Sequence, residues 1–156
     1  MKTILDFVVI VLLIKIAWTD HKTMEIPDRW NLALGICGVI SMFFSSHISI
    51  LERGIGAFCV SVPMILLTVW IPEAFGGGDI KLTFVMGFYL GWKKVLLGTF
   101  LAIMIGGIQA FYLLVSGKAR VGEGAHMAFG PALCLGFFLA ARWGSIIISW
   151  YLNLFC

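Results

Sequence analysis

Residues 1–19 read MKTILDFVVIVLLIKIAWT and are followed directly by Asp20. A helix needs about 20 residues to cross the hydrocarbon core of a bilayer, and about 17 is a practical minimum. This stretch therefore predicts a first membrane span that ends beside a carboxyl group at the membrane surface. Lys2 precedes the apolar run, as in a signal peptide, but no small-residue cleavage site follows it. We therefore expect the span to be retained.

The composition of the whole chain agrees with this reading. The 156 residues are 61% hydrophobic and 12% charged, whereas about a quarter of the residues of a soluble domain are charged. We predict an integral membrane protein with one domain over residues 1–156 and the lipid bilayer as its surroundings. The net charge of +3 is too small and too scattered to indicate a nucleic-acid partner. The four cysteines have no zinc-ligand spacing, and we expect neither a metal nor a cofactor.

Five more apolar segments follow the first. The second to fifth segments cover residues 30–46, 54–71, 80–92 and 95–115. The sixth starts near residue 128 and ends at 141, or at 150 if Arg142 is tolerated. The fourth is too short alone, so it must borrow the preceding loop or depend on lysines at its end that reach the surface. Open sheets cannot lie in lipid and the runs do not alternate as barrel strands do. We predict an all-α bundle of about six transmembrane helices.

The loops after the first, third and fifth spans share one face of the membrane, because two crossings separate each from the next. Asp20 and Asp79 lie in the first two of these loops and therefore belong to the same face. Basic residues usually indicate which face is cytoplasmic, but here they leave the orientation open. Five lie on the face of Asp20 (Lys22, Arg29, Lys81, Lys118 and Arg120) and five on the other (Lys2, Arg53, Lys93, Lys94 and Arg142).

The stretch Phe75-Gly76-Gly77-Gly78-Asp79 lies at the boundary of the fourth span. A GxGD pattern alone is weak, and a flexible turn with a solvated Asp is the structural alternative. Three glycines, however, remove side chains from the approach to Asp79 and allow positive φ, so that an extended substrate could lie against them. With Asp20 on the same face, we predict that both Asp residues are catalytic and that the three glycines bind substrate.

Asp20 is followed by a polar stretch that contains Ile26, Pro27 and Asp28. Proline cannot continue a helix but suits the first turn of a new one, so Pro27 marks the turn into the second span. We include Pro27 among the candidate substrate-binding residues.

These two stretches resemble the motifs of the type IV prepilin peptidases, which are membrane aspartic proteases of the GxGD type. The first family motif has an Asp followed six residues later by Ile-Pro and then Asn or Asp. The second is a glycine-rich Gly-Asp followed by Lys-Leu. The third family motif is Pro-Phe-Gly-Pro. The sequence matches it except that Ala128 replaces the first proline, and this difference affects only a local turn. The matching residues are Asp20, Ile26, Pro27 and Asp28, then Gly76 to Leu82 with Gly87 and Gly91, and Phe129 to Pro131.

The resemblance implies that Asp20 and Asp79 form the catalytic pair, on the cytoplasmic side of a bacterial or archaeal plasma membrane. It implies a prepilin or pseudopilin substrate with a short basic leader ahead of an apolar helix, cut where leader meets helix. Larger members carry an extra segment with paired CxxC motifs and methylate the new N-terminus. This sequence has no such segment, so we expect a peptidase alone.

Elementary chemistry fits this role. Two adjacent carboxyl groups tend to share one proton, because both cannot ionise cheaply. The ionised member can take a proton from water while the protonated one polarises the scissile carbonyl. The sequence does not assign the two parts, and it leaves the oligomeric state open.

Several other charged residues have two interpretations. Lys81 either biases the ionisation of Asp79 or anchors lipid headgroups, and we list it with the substrate-binding residues. Asp6 and Lys15 lie inside the first span. Their side chains either reach opposite surfaces of the membrane or face the helix bundle. Four acids on the face of Asp20 either attract a basic leader or are ordinary solvated residues. They are Glu25, Asp28, Glu73 and Glu123.

Two rival functions are open at this stage. A presenilin-like protease is suggested by Pro131-Ala132-Leu133, but such proteins have more spans than this chain can supply. A small ion-coupled transporter would use intramembrane acids near the midplane of the bilayer, whereas these acids lie at the ends of spans.

Overall fold

The computed structural model describes residues 2–44, 48–71, 74–116 and 128–155. All regular secondary structure in these ranges is helical. In chain order the helices are α1 (Lys2–Thr23), α2 (Asp28–Phe44), α3 (Ile50–Trp70), α4 (Gly77–Leu90), α5 (Trp92–Val115) and α6 (Gly130–Phe155). The predicted all-α architecture is confirmed.

Three of these helices are long and apolar enough to cross a membrane: α3, α5 and residues Gly130–Leu154 of α6. The helices α2 and α4 are shorter, with 17 and 14 residues, and α1 carries Asp6, Lys15 and Asp20 along its length. Large apolar side chains such as Trp70 and Phe43 are more than four-fifths exposed, at 84% and 82%. Exposed apolar surface of this extent is typical of contact with lipid, and the chain is a membrane-embedded helical bundle.

The helix boundaries refine the predicted spans. α1 continues one turn beyond its apolar stretch, so that Asp20 lies in its last turn rather than in a loop. α4 begins at Gly77 and thus takes Gly77, Gly78 and Asp79 from the preceding loop, which is one of the two solutions that the sequence allowed. α6 continues through Arg142, which is the longer of its two predicted forms.

Glycines let two helix pairs come into backbone contact. A Cβ atom at Gly87 of α4 would overlap the backbone carbonyl of Gly56 in α3. A Cβ atom at Gly136 of α6 would likewise overlap the carbonyl of Gly98 in α5. Close approach of this kind is how helices pack in lipid, where the hydrophobic effect gives no drive for association. α4 also contacts α2, α5 and α6, so the short helix is held from several sides.

Arg53, which the sequence placed among the surface charges, is buried in the bundle with 1% of its area exposed. Its guanidinium donates hydrogen bonds to Ser41 Oγ at 2.8 Å and to the Phe88 carbonyl at 3.2 Å. Phe88 lies in the last turn of α4, where carbonyl groups lack partners within the helix. A cation at that end also suits the helix dipole, so Arg53 caps the 14-residue helix α4.

Asp6 faces the bundle, which is the second of its two predicted positions. It accepts a hydrogen bond from the hydroxyl group of Tyr89. The contact joins α1 to the last turn of α4. Lys15 lies over the ring of Trp30, with Nζ 5.1 Å from the ring centroid, and so joins α1 to α2.

We predict that Gly87→Ala lowers the stability of the protein by about 2 kcal/mol or more, because an added methyl group forces α3 and α4 apart. The measurement is thermal unfolding in detergent. Gly54→Ala is the matched control, since a Cβ atom at Gly54 meets no atom within 4 Å. Equal melting temperatures for the two variants would contradict the backbone contact.

Candidate functional site

The first half of the site is built at the end of α1. Asp20 lies in the last turn, and its carbonyl accepts a hydrogen bond from the N–H of Met24 at 2.8 Å. Met24 has φ of 53°, a left-handed conformation that ends the helix and reverses the chain. Pro27 follows, and α2 begins at Asp28, so the predicted turn at Pro27 is found there.

The second half is the beginning of α4. Gly76 is the N-cap residue, with φ of −66°, and Asp79 lies in the first turn. Among the described glycines only Gly91 has positive φ, so the glycine run does not use the positive φ that glycine allows. The run instead enters a right-handed helix at once. Gly78 is needed for a different reason, since a Cβ atom there would lie 2.8 Å from Cβ of Ile26.

The two halves enclose one surface cavity of about 500 Å³. All the residues that the sequence singled out as catalytic or substrate-binding line it: Asp20, Pro27, Gly76, Gly77, Gly78, Asp79 and Lys81. The contact between Gly78 and Ile26 explains how the two distant motifs come together. Ile26 is 8% exposed and packs directly on the glycine run.

Both carboxyl groups are buried at this cavity. Asp20 is 4% exposed and Asp79 is 8% exposed. One oxygen of each, Oδ2 of Asp20 and Oδ1 of Asp79, has no hydrogen-bond partner among the described residues. A buried acceptor without a partner is costly, and oxygens of this kind are available to a water molecule or a substrate.

Burial raises the pKa of both carboxyl groups, which lie beyond the apolar stretches of α1 and α4. For Asp79 desolvation is the largest cause and the negative charge of Asp20 adds to it, so that its pKa rises to about 7 although the Gly76 backbone N–H opposes the shift. Desolvation also raises the pKa of Asp20, against the opposing effects of the Gly130 backbone N–H and of His21. Burial and the charge of Asp20 therefore favour the protonated form of Asp79.

Gly130 belongs to the site, although the sequence indicated only a local turn there. It is the first residue of α6, and a Cβ atom at this position would lie 2.5 Å from Oδ2 of Asp20. The third motif thus brings the start of α6 against the first carboxyl group. The signal was the family pattern Phe129-Gly130-Pro131, but sequence alone gives no contact partner.

Lys81 forms an ion pair with Asp28, with Nζ 2.7 Å from Oδ1. The pair links the two motif segments across the cavity, a role that neither sequence interpretation of Lys81 included. Its side chains are 57% and 74% exposed, so the pair contributes little to stability.

Of the four further acids that could attract a basic leader, Glu25 and Asp28 line the cavity. Glu73 and Glu123 lie outside the described residues. In the described part of the chain no group of three His, Cys, Asp or Glu side chains could hold a metal ion.

Fold and site together define a class: a polytopic membrane protein with two buried carboxyl groups in one cavity at the ends of its helices. The family model for the type IV leader peptidase family matches residues 7–111. The chain belongs to this family, which confirms the resemblance seen in the sequence.

Curated relatives agree with this assignment. The chain is 32% identical over 151 residues to a protein of Bacillus subtilis, covering 94% of this chain and 58% of the relative. It is 30% identical over 149 residues to one of Legionella pneumophila, covering 91% and 50%. Both are named prepilin leader peptidase/N-methyltransferase. The chain spans about half the length of the curated relatives it matches, and no solved structure matches it significantly.

We predict that Gly130→Ala destabilises the protein through Asp20. The new methyl group would overlap the carboxyl group, so the melting temperature should fall in the wild-type background and fall much less in an Asp20→Ala background. A double-mutant cycle measured by thermal unfolding gives this coupling. Gly107→Ala, where a Cβ atom meets nothing within 4 Å, is the control. Additive effects at Gly130 and Asp20 would show that the two residues do not touch.

We predict that Asp79→Asn stabilises the protein at pH 8 and much less at pH 4. The pKa of Asp79 rises from 3.8 to about 7 on folding, so the folded state binds the proton more tightly. Stability from this group is full below about pH 4 and is lost as the pH rises through 7. Asparagine does not ionise, so the variant avoids this loss of folding free energy, which is at most about 4 kcal/mol in the wild type. A stability difference independent of pH, measured by thermal unfolding, would contradict the buried carboxyl.

Proposed function

We propose that this chain is a membrane aspartic endopeptidase that removes the basic leader from type IV prepilin-like or pseudopilin precursors. The single observation that supports the proposal most is that Asp20 and Asp79 are both buried and line one cavity of a chain from a leader peptidase family. The relatives' names support the class of substrate.

In the proposed mechanism, ionised Asp20 accepts a proton from a water molecule whose oxygen attacks the scissile carbonyl carbon. Protonated Asp79 donates a hydrogen bond to the carbonyl oxygen and later gives its proton to the leaving amine as the C–N bond breaks. The different surroundings of the two carboxyl groups support this assignment. Asp79 has the more strongly raised pKa because of burial and the charge of Asp20.

The glycine run supports the binding of an extended peptide. Apart from its own helix and chain neighbours, no atom of the described residues lies within 4 Å of a Cβ atom built on Gly77, so the described part of the structure leaves this side of the cavity open. Its volume of about 500 Å³ lies in the usual range for a ligand site. We propose that the scissile segment lies along Gly76, Gly77 and Gly78, between Pro27 and Lys81.

The charge of the cavity gives partial support to the binding of a basic leader. Asp28 is neutralised by Lys81, which leaves Glu25 as an acid of the cavity without an ion pair to a described residue. We propose that Glu25 attracts the leader, so that its effect depends on salt.

The proposal places the cavity at the cytoplasmic face of a bacterial or archaeal plasma membrane, because the leader precedes the apolar helix and is cut before that helix. The proposal concerns the hydrolysis of the bond between leader and helix. Family membership argues against a presenilin-like protease. The position of Asp20 and Asp79 at helix ends argues against a transporter.

We predict that the purified protein cuts a peptide with a basic leader and an apolar helix, and that Asp20→Asn and Asp79→Asn each lower kcat/KM by at least about a thousandfold, because each removes the acid or the base. Product formation is measured by mass spectrometry. Asp28→Asn is the matched control, a carboxyl group of the same cavity whose loss should reduce cleavage by less than about tenfold. Cleavage that survives either of the first two substitutions would refute the mechanism.

A further inference from the structure

A second opening of about 610 Å³ lies beside the site, between α2, α3 and α4. We call it the membrane groove. Its wall includes Leu32, Gly35, Ile65 and Phe84, so it is almost wholly apolar. Asp28 and Lys81 line both this groove and the cavity of the two carboxyl groups. The groove therefore adjoins the cavity and extends from it along α2, α3 and α4.

Two buried polar side chains interrupt this apolar wall. Asn31 is 5% exposed and Ser61 is 2% exposed. The amide Oδ1 and Nδ2 of Asn31 and the Oγ of Ser61 make no hydrogen bond to any described residue. Unpaired donors and acceptors are especially costly away from water. Their concentration at one groove indicates a partner that brings complementary polar groups.

Gly35 gives a separate indication. It lies inside α2, where glycine costs about 1 kcal/mol relative to alanine. A Cβ atom on Gly35 would meet nothing within 4 Å, so the packing of this chain does not use the missing side chain. Small residues at membrane helix interfaces admit a second helix at close range.

We propose that the membrane groove receives the first two turns of the substrate's apolar helix, with Gly35 at the point of closest approach. This inference rests on the proposed function, because it takes the substrate to be a peptide whose apolar helix follows the cleaved bond. The main support for this inference is that the groove adjoins the cavity, since Asp28 and Lys81 line both. A polypeptide cut at the two carboxyl groups must continue into the bilayer, and the groove is the adjoining apolar path.

The dimensions and chemistry of the groove fit this occupant. From Asp28 to Gly35 is seven residues, or about 10 Å of helix at 1.5 Å per residue, which is two turns. The first four N–H groups of the substrate helix have no partners within that helix. After a side-chain rotation the Asn31 amide and the Ser61 hydroxyl can accept hydrogen bonds from them. Two of those four N–H groups then have acceptors, namely Oδ1 of Asn31 and Oγ of Ser61, whereas Nδ2 of Asn31 needs a carbonyl oxygen of the peptide.

The first test compares Gly35→Leu with Gly107→Leu. Both glycines have open space at Cβ, but Gly107 does not line the groove. Each variant is assayed with a long peptide that has a leader and 14 apolar residues, and with a short one that ends two residues after the cut. We expect Gly35→Leu to lower kcat/KM for the long peptide at least tenfold, chiefly through KM, and to leave the short peptide unchanged. Gly107→Leu should change neither.

The second test measures binding without cleavage. In the Asp79→Asn protein, a benzophenone crosslinker is placed at Leu32 or at Ile36 of the same helix. Both side chains are exposed, at 68% and 54%, but only Leu32 lines the groove. We expect the long peptide to crosslink at Leu32 at least five times more than at Ile36, with competition by unlabelled peptide.

The outcomes separate the two proposals. If the wild type cuts the long peptide but Gly35→Leu cuts it equally well, or if both crosslinker positions react alike or react only with lipid or a second copy of the chain, the groove is not the docking site and the proposed function stands. If Gly35→Leu reduces cleavage of both peptides equally, it acts on the catalytic cavity and the inference is again wrong. If the wild type cuts neither peptide, the proposed function fails and the inference fails with it.

Discussion

Two buried carboxyl groups, those of Asp20 and Asp79, line one cavity at the ends of helices α1 and α4. Burial disfavours the charge on each, and the charge of one disfavours ionisation of the other, which is why the pKa of Asp79 rises to about 7. Such an arrangement opposes folding and must be held by its surroundings. Here the glycine run packs on Ile26 and Gly130 packs on Asp20, so that three chain segments fix the pair.

Much of the helical architecture could be predicted from sequence, because a membrane limits the length of each span and the number of crossings determines on which face each loop lies. The apolar stretches gave the helices, and the even number of crossings put Asp20 and Asp79 on one face. The contact between Gly130 and Asp20 could not be predicted, since it joins residues 110 positions apart through tertiary packing. For the same reason the sequence could not indicate that Lys81 pairs with Asp28, or that Arg53 is buried.

The short helix α4 shows how the fold positions the site. With 14 residues it is about 21 Å long, less than the hydrocarbon core of a bilayer. One end carries Asp79 at the surface cavity, and the other is capped by Arg53 and joined to Asp6 through Tyr89. Its middle is held against α3 by the contact of Gly87 with Gly56. A helix fixed at both ends and in the middle keeps its first turn, and hence Asp79, in place.

Several buried polar side-chain atoms of the described residues have no hydrogen-bond partner. They belong to Asp20, Asn31, Ser61, Asp79 and Thr99. We have no physical account of Thr99, but the other four line either the cavity or the membrane groove. A protein in lipid cannot rely on bulk water to satisfy such groups. Their collection in two adjoining openings is what a site requires if its ligand supplies the missing hydrogen bonds, and the proposed substrate, with a polar cleavage point and a helix beginning just beyond it, has such groups.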